Sequence, residues 1–148
     1  ISHVKVLHGS TAITKIELVN GERVFKDYNE GVLQDFKLSE DDVDFLCGHD
    51  MIISGIWGMI ENDLPKLKTK GVPIAFDFSD QPTHPIVDQA IDHVTYAFFS
   101  AEEGDNPELR EFMKKMQSRG PKMVIFTLGD HGSICYDGKE YYNYGIIP

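Results

Sequence analysis

Cysteine is nearly missing from this chain. Cys47 and Cys135 are its only two among 148 residues, each beside apolar or aromatic neighbours, and neither has CxxC or Cys/His spacing. That excludes a disulfide scaffold and a structural zinc knuckle, and both are read as buried, reduced thiols of a cytoplasmic protein. His3, His8, His49, His84, His93 and His131 form no HExxH motif and no i,i+4 pair, which removes the helical zinc site. No apolar run approaches the roughly 20 residues that span a bilayer, and no leader-like segment opens the chain, so no membrane role is expected. Positive charge is scarce as well: 14 Lys+Arg face 24 Asp+Glu, a formal net charge of -10. A nucleic-acid backbone would meet repulsion over most of such a surface, and no nucleic-acid partner is expected. A nucleotide is not excluded, because backbone N–H groups and a metal ion hold phosphate locally whatever the net charge.

The 41% of hydrophobic residues suffices for one ordinary core, without repeats or low-complexity stretches. From Thr11 to Lys26 apolar and polar residues alternate around Asn20-Gly21, a strong hairpin signal in which both turn residues take positive φ, and the two-faced pattern predicts that one side is covered. Ser39 with Asp42 three residues on, ending at Gly48, predicts a short capped helix. Strands and helices then alternate: Asp50–Ile56, Val72–Phe76, Val94–Phe99 and Met123–Phe126 as apolar strands, with helices over Asp63–Lys70, Pro85–His93 and from Asn106 to Arg119. Ser133–Tyr136 and Lys139–Tyr144 around Asp137-Gly138 make a second hairpin. The fold class is α/β, a mostly parallel sheet with helices on both faces plus a small hairpin.

In open parallel sheets ligands bind beyond the carboxyl ends of the strands. The residues there are Trp57-Gly58, Asp77-Phe-Ser-Asp80, Ser100-Ala-Glu-Glu103 and Thr127-Leu-Gly-Asp-His-Gly132. Three acidic clusters converging beside a glycine-containing turn suit a Mg²⁺-nucleotide. Taken one at a time, the same residues also serve as turn formers and helix caps. Asp77 alone suggests a receiver-type phospho-acceptor, but the acidic pair and the lysine of that site are missing.

Asn20-Gly-Glu-Arg-Val-Phe25, Asp27-Tyr-Asn-Glu-Gly31, Ile56-Trp-Gly58, Phe76-Asp-Phe-Ser-Asp80 and Val124-Ile-Phe-Thr-Leu-Gly129, in that order over nearly the whole chain, resemble the ribokinase-like (PfkB) carbohydrate kinases. Ile-Trp-Gly and Phe-Asp-Phe-Ser-Asp look most like the fructoselysine kinases among them. The resemblance implies residues 1–34 as β-lid strands returning to the core, residues 35–148 as the central α/β part, and a lid that closes over the sugar and makes a homodimer contact. It also implies ATP-dependent phosphorylation of a sugar or sugar-amine hydroxyl with Mg²⁺. By family position Ser100, Thr127, Gly129 and Gly132 meet the nucleotide, and Asp77 and Glu103 act on Mg²⁺ and phosphate. Ser100 stands where the family has Asn. Trp57, Tyr28 and Glu30 face the sugar; an aromatic at position 57 favours a larger, partly apolar fructosamine, and a carboxylate suits its amine. The family's Gly-Gly-x-x-x-Asn and Gly-Ala-Gly-Asp motifs, the latter with the catalytic base, fall before Ile1 and after Pro148. Both ends are therefore expected to be cut, no catalytic residue is assigned, and no phosphoryl transfer is expected of this stretch alone. The alternatives are a non-catalytic nucleotide- or sugar-binding module and, from fewer features, a structural α/β domain.

Overall fold

The computed structural model describes residues 3–20 and 22–147, in two compact units, Ile1–Leu38 and Ser39–Pro148. In the first, β1 (Ile13–Val19) pairs antiparallel with β2 (Glu22–Asn29), from Val19 opposite Glu22 to Ile13 opposite Asn29, with a bulge between Thr14 and Ile16. Asn20 has φ 55°, as a two-residue hairpin turn requires, and Gly21 lies outside the described residues. The hairpin runs further than its alternation predicts, which makes Tyr28 a strand residue opposite Thr14. Within its unit neither side is covered: every residue of β1 is exposed, including Ile13, Ile16 and Leu18.

The second unit opens with α1 (Glu40–Cys47). Its capping box is complete: Ser39 Oγ accepts from the Asp42 N–H, and the Asp42 carboxylate accepts from the Ser39 N–H. Six strands form one sheet in chain order: β3 (Ile52–Gly55), β4 (Ile74–Asp77), β5 (Tyr96–Ser100) and β6 (Met123–Thr127) run parallel, then β7 (Ser133–Tyr136) and β8 (Tyr141–Tyr144) turn back antiparallel. The connecting helices are α2 (Leu64–Thr69), α3 (Pro85–Ala90) and α4 (Pro107–Gln117), all with proline in the first turn. The last strand starts at Tyr141 rather than Lys139, because the Asp137 carboxylate accepts the N–H groups of Lys139 and Glu140, both at 2.8 Å, and holds them in the turn.

One sheet face carries the core. Ile52, Ile74, Phe76, Ala97, Phe99, Val124, Phe126 and Ile134 are buried there; Phe78 stacks on Phe99 at 4.8 Å and Phe99 on Phe126 at 5.1 Å, while Phe112 of α4 meets both rings edge-on. The other face is more open within this unit, with Ile53 79% exposed and Phe98 37%, although Ala75 and Ile125 beside them are buried. The strand order explains it. When each parallel strand neighbours the next in sequence, right-handed crossovers put every connecting helix on the same side. Both cysteines are free and half-buried rather than buried, Cys47 at the end of α1 and Cys135 on the open face opposite Ile125.

Candidate functional site at the carboxyl edge of the sheet

The four loops after β3–β6 are stitched into one edge. Ile56 N–H donates to Asp77 O (2.9 Å), Ser100 N–H to Ser79 O (2.8 Å) and Ala101 N–H to Thr127 O (3.0 Å), so each loop is bonded to its neighbour. Trp57 sits on the first loop, 57% exposed, between two glycines. A Cβ on Gly55 would stand 2.8 Å from the Asp77 carbonyl, so crowding by the backbone itself requires that glycine, whereas one on Gly58 would have to displace the Ser54 hydroxyl, 2.3 Å away. In the second loop Asp77 Oδ1 accepts from the Ser79 N–H at 2.8 Å, and this turn lets Ser79 adopt φ 56°.

Ser100, Thr127 and Ser133 lie side by side across β5, β6 and β7, and Thr127 Oγ1 donates to Ser100 Oγ at 3.0 Å. The two pattern glycines have different grounds. Gly129 has φ 56° with open space around its missing side chain, whereas at Gly132 (φ 85°) a Cβ would lie 2.0 Å from Tyr144 O. The N–H groups of Leu128, His131 and Gly132 are bonded within the turn, so these three amides are not aimed at a phosphate.

The acids are more dispersed than expected. Among the described residues no three His, Cys, Asp or Glu side chains gather to hold a metal. Successive strands stand about 4.8 Å apart, which spreads the loops along the edge. Each loop also uses its acids locally: Asp80 accepts from Ser79 Oγ and Gln81 Nε2, Asp130 lies 3.6 Å from His131 Nε2, and Asp105 is paired with Arg110, whose guanidinium holds its carboxyl below the usual carboxylate range. Asp77 and Glu103 remain exposed at the ends of β4 and the β5 loop. Oxygen donors in ones and twos suit Mg²⁺, which takes one or two carboxylates and fills its shell with water and phosphate.

In the first unit, Tyr28 and the half-buried Glu30 line a cavity of about 530 Å³ together with His8, Gln34 and Asp35. Val32 N–H donates to Ser10 O at 2.9 Å, and a Cβ on Gly31 would come within 2.2 Å of that oxygen.

No family model matches the chain. Along all 148 residues it is 44% identical to the fructoselysine 6-kinase of Escherichia coli (strain K12), and it is 33% identical over 149 positions, 98% of this chain, to the fructosamine kinase FrlD of Bacillus subtilis (strain 168). Its fold matches the structure of Arabidopsis thaliana ribokinase complexed with ribose and ATP with a TM-score of 0.77 at 19% identity, over 95% of this chain and 50% of that one. Giardia lamblia ribokinase gives 0.76 at 21%, over 96% and 49%. The chain thus has the ribokinase fold and is similar in sequence, along its whole length, to fructoselysine and fructosamine kinases. It spans about half the length of the curated relatives it matches, 56% and 52% respectively.

Within this ribokinase-like sheet, sequence reading missed Ser133 and the Ser79 carbonyl. Ser133 comes opposite Thr127 only through an antiparallel register, and a carbonyl leaves no mark in sequence. His8, Gln34 and Asp35 were missed because contacts across a turn, not a motif, unite them.

Proposed function

We propose that the chain serves in ATP-dependent phosphorylation of a hydroxyl on a sugar amine of the fructoselysine or fructosamine type. The observation that carries this is the 44% identity to a fructoselysine 6-kinase along the entire chain. In this reading Ser100, Thr127 and Gly129 flank the nucleotide, with Gly132 shaping the turn beneath it. Asp77 and Glu103 hold Mg²⁺ directly or through water. When bound, the metal supplies charge neutralisation for the transferred phosphoryl. Trp57 stacks on an apolar part of the substrate, and Tyr28 and Glu30 bind sugar hydroxyls and amine. None of these residues takes the proton from the attacking hydroxyl. The exposed Ile13, Ile16, Leu18 and Phe25 of the hairpin support a homodimer through that element. The setting proposed is the cytoplasm, where ATP is at hand and free thiols persist.

The test is calorimetric binding of ATP with Mg²⁺, followed by ATP consumption with fructoselysine. Tight Mg²⁺-dependent ATP binding that Asp77→Asn weakens by roughly 10-fold supports the assignment. Binding without turnover is the outcome expected of this stretch alone, since none of its residues serves as the base, and no binding overturns the reading.

A further inference from the structure

We propose that Asp105 and Arg110 are positioning residues: their ion pair sets the conformation of the loop from Ala101 to Asn106 and thereby the place of Glu103. The inference rests on the kinase reading only for what Glu103 does. At its start the loop is fixed by the Ser100 and Ala101 amides, bonded to Ser79 O and Thr127 O. At its end Asn106 caps α4, accepting from the Leu109 N–H at 2.8 Å and donating to Gly104 O at 3.2 Å. Between these anchors Glu102 and Glu103 lie in no helix or strand.

Asp105 precedes the cap and Arg110 is the fourth helical residue, the two positions that a hydrophobic staple uses to fix the angle at which a chain enters a helix. Here the staple is ionic and two-pronged. Arg110 Nε donates to Asp105 Oδ1 at 2.7 Å and Nη2 to Oδ2 at 2.5 Å, and Asn143 Nδ2 of β8 donates to Oδ2 at 3.3 Å. The guanidinium lies 4.6 Å from the centre of the Tyr141 ring, and Tyr141 Oη donates back to Arg110 O at 2.9 Å. Helix, loop and terminal strand thus converge on one carboxylate, and a stacked guanidinium has little freedom to release it. With side chains 40% and 26% exposed, the pair adds little to global stability, so its role is local.

The experiment compares Asp105→Ala, Arg110→Met and the exchanged pair Asp105→Arg/Arg110→Asp with the parent protein. Arg119→Met, which removes an ion pair elsewhere, serves as control. Hydrogen exchange over residues 101–106 and calorimetric ATP affinity with and without Mg²⁺ are measured. Both single variants are expected to speed exchange in the loop and weaken Mg²⁺-dependent ATP binding by roughly 10-fold, the order for supporting partners of a metal ligand, with metal-free binding unchanged. The exchanged pair recovers part of the loss, and the control shows none. Unchanged exchange in the loop overturns the positioning role whatever the chain binds. Faster exchange with equal losses with and without Mg²⁺ overturns the link to Glu103. Absence of Mg²⁺-ATP binding in the parent protein overturns the kinase reading, and with it only the metal half of the inference.

Discussion

At the scale of single residues, two glycines of one short pattern obey different physics. Gly129 needs only its left-handed φ, since a Cβ there would meet nothing, whereas Gly132 combines positive φ with a carbonyl 2.0 Å from where a Cβ would sit. Gly129→Ala is expected to cost about 1–2 kcal/mol of stability. Gly132→Ala forces Tyr144 and the end of β8 to move and is expected to cost at least about 3 kcal/mol. Urea midpoints of the two variants check this order, and equal losses would contradict it. The pattern Thr127-x-Gly129-x-x-Gly132 was legible in the sequence, but the division of labour within it was not, because what crowds Gly132 is a backbone atom twelve residues away. Gly55 repeats the lesson, since the carbonyl of Asp77 on the neighbouring strand already requires it.

Among elements, whatever is decided within a few residues was legible in advance. Ser39 with Asp42 forms the cap that its spacing predicts, and Asn106, directly before Pro107, caps α4 by accepting from the Leu109 N–H. Ser39→Ala removes an acceptor from the Asp42 N–H and a donor to its carboxylate, and is expected to cost about 1 kcal/mol, read from thermal or urea unfolding. The four parallel strands were legible too, from continuous apolar runs. What depends on distant pairing was not: the more open sheet face follows from strand order. The late start of β8 is a local exception, set by the Asp137 side chain only two and three residues upstream. The loops of the candidate site were visible as a set, but their hydroxyl row needed the register of β7.

For the whole molecule, the surplus of acid gives its few well-held cations unusual weight. Arg119, just beyond α4, donates to Asp88 and Asp92 and so ties that end of the fold to α3 and the segment after it. Its hydrogen bonds hold the Asp92 carboxyl below the ordinary value of 3.8. The unfolded chain therefore takes up a proton first on acidification, so the pair's contribution is complete above 3.8 and is lost as pH falls through the depressed folded value. Arg119→Met is expected to unfold at lower urea than the parent at pH 6, with the gap narrowing below pH 3.8, and a gap independent of pH would refute the assignment. The unbroken chain order of the six strands has a consequence in time as well as space. Each new strand docks on the one made just before it, so no strand of this sheet waits for a partner more than one connection away. Emerging from a ribosome at about 5–20 residues per second, the sheet can grow strand by strand in the order of its synthesis, each unit templating the next.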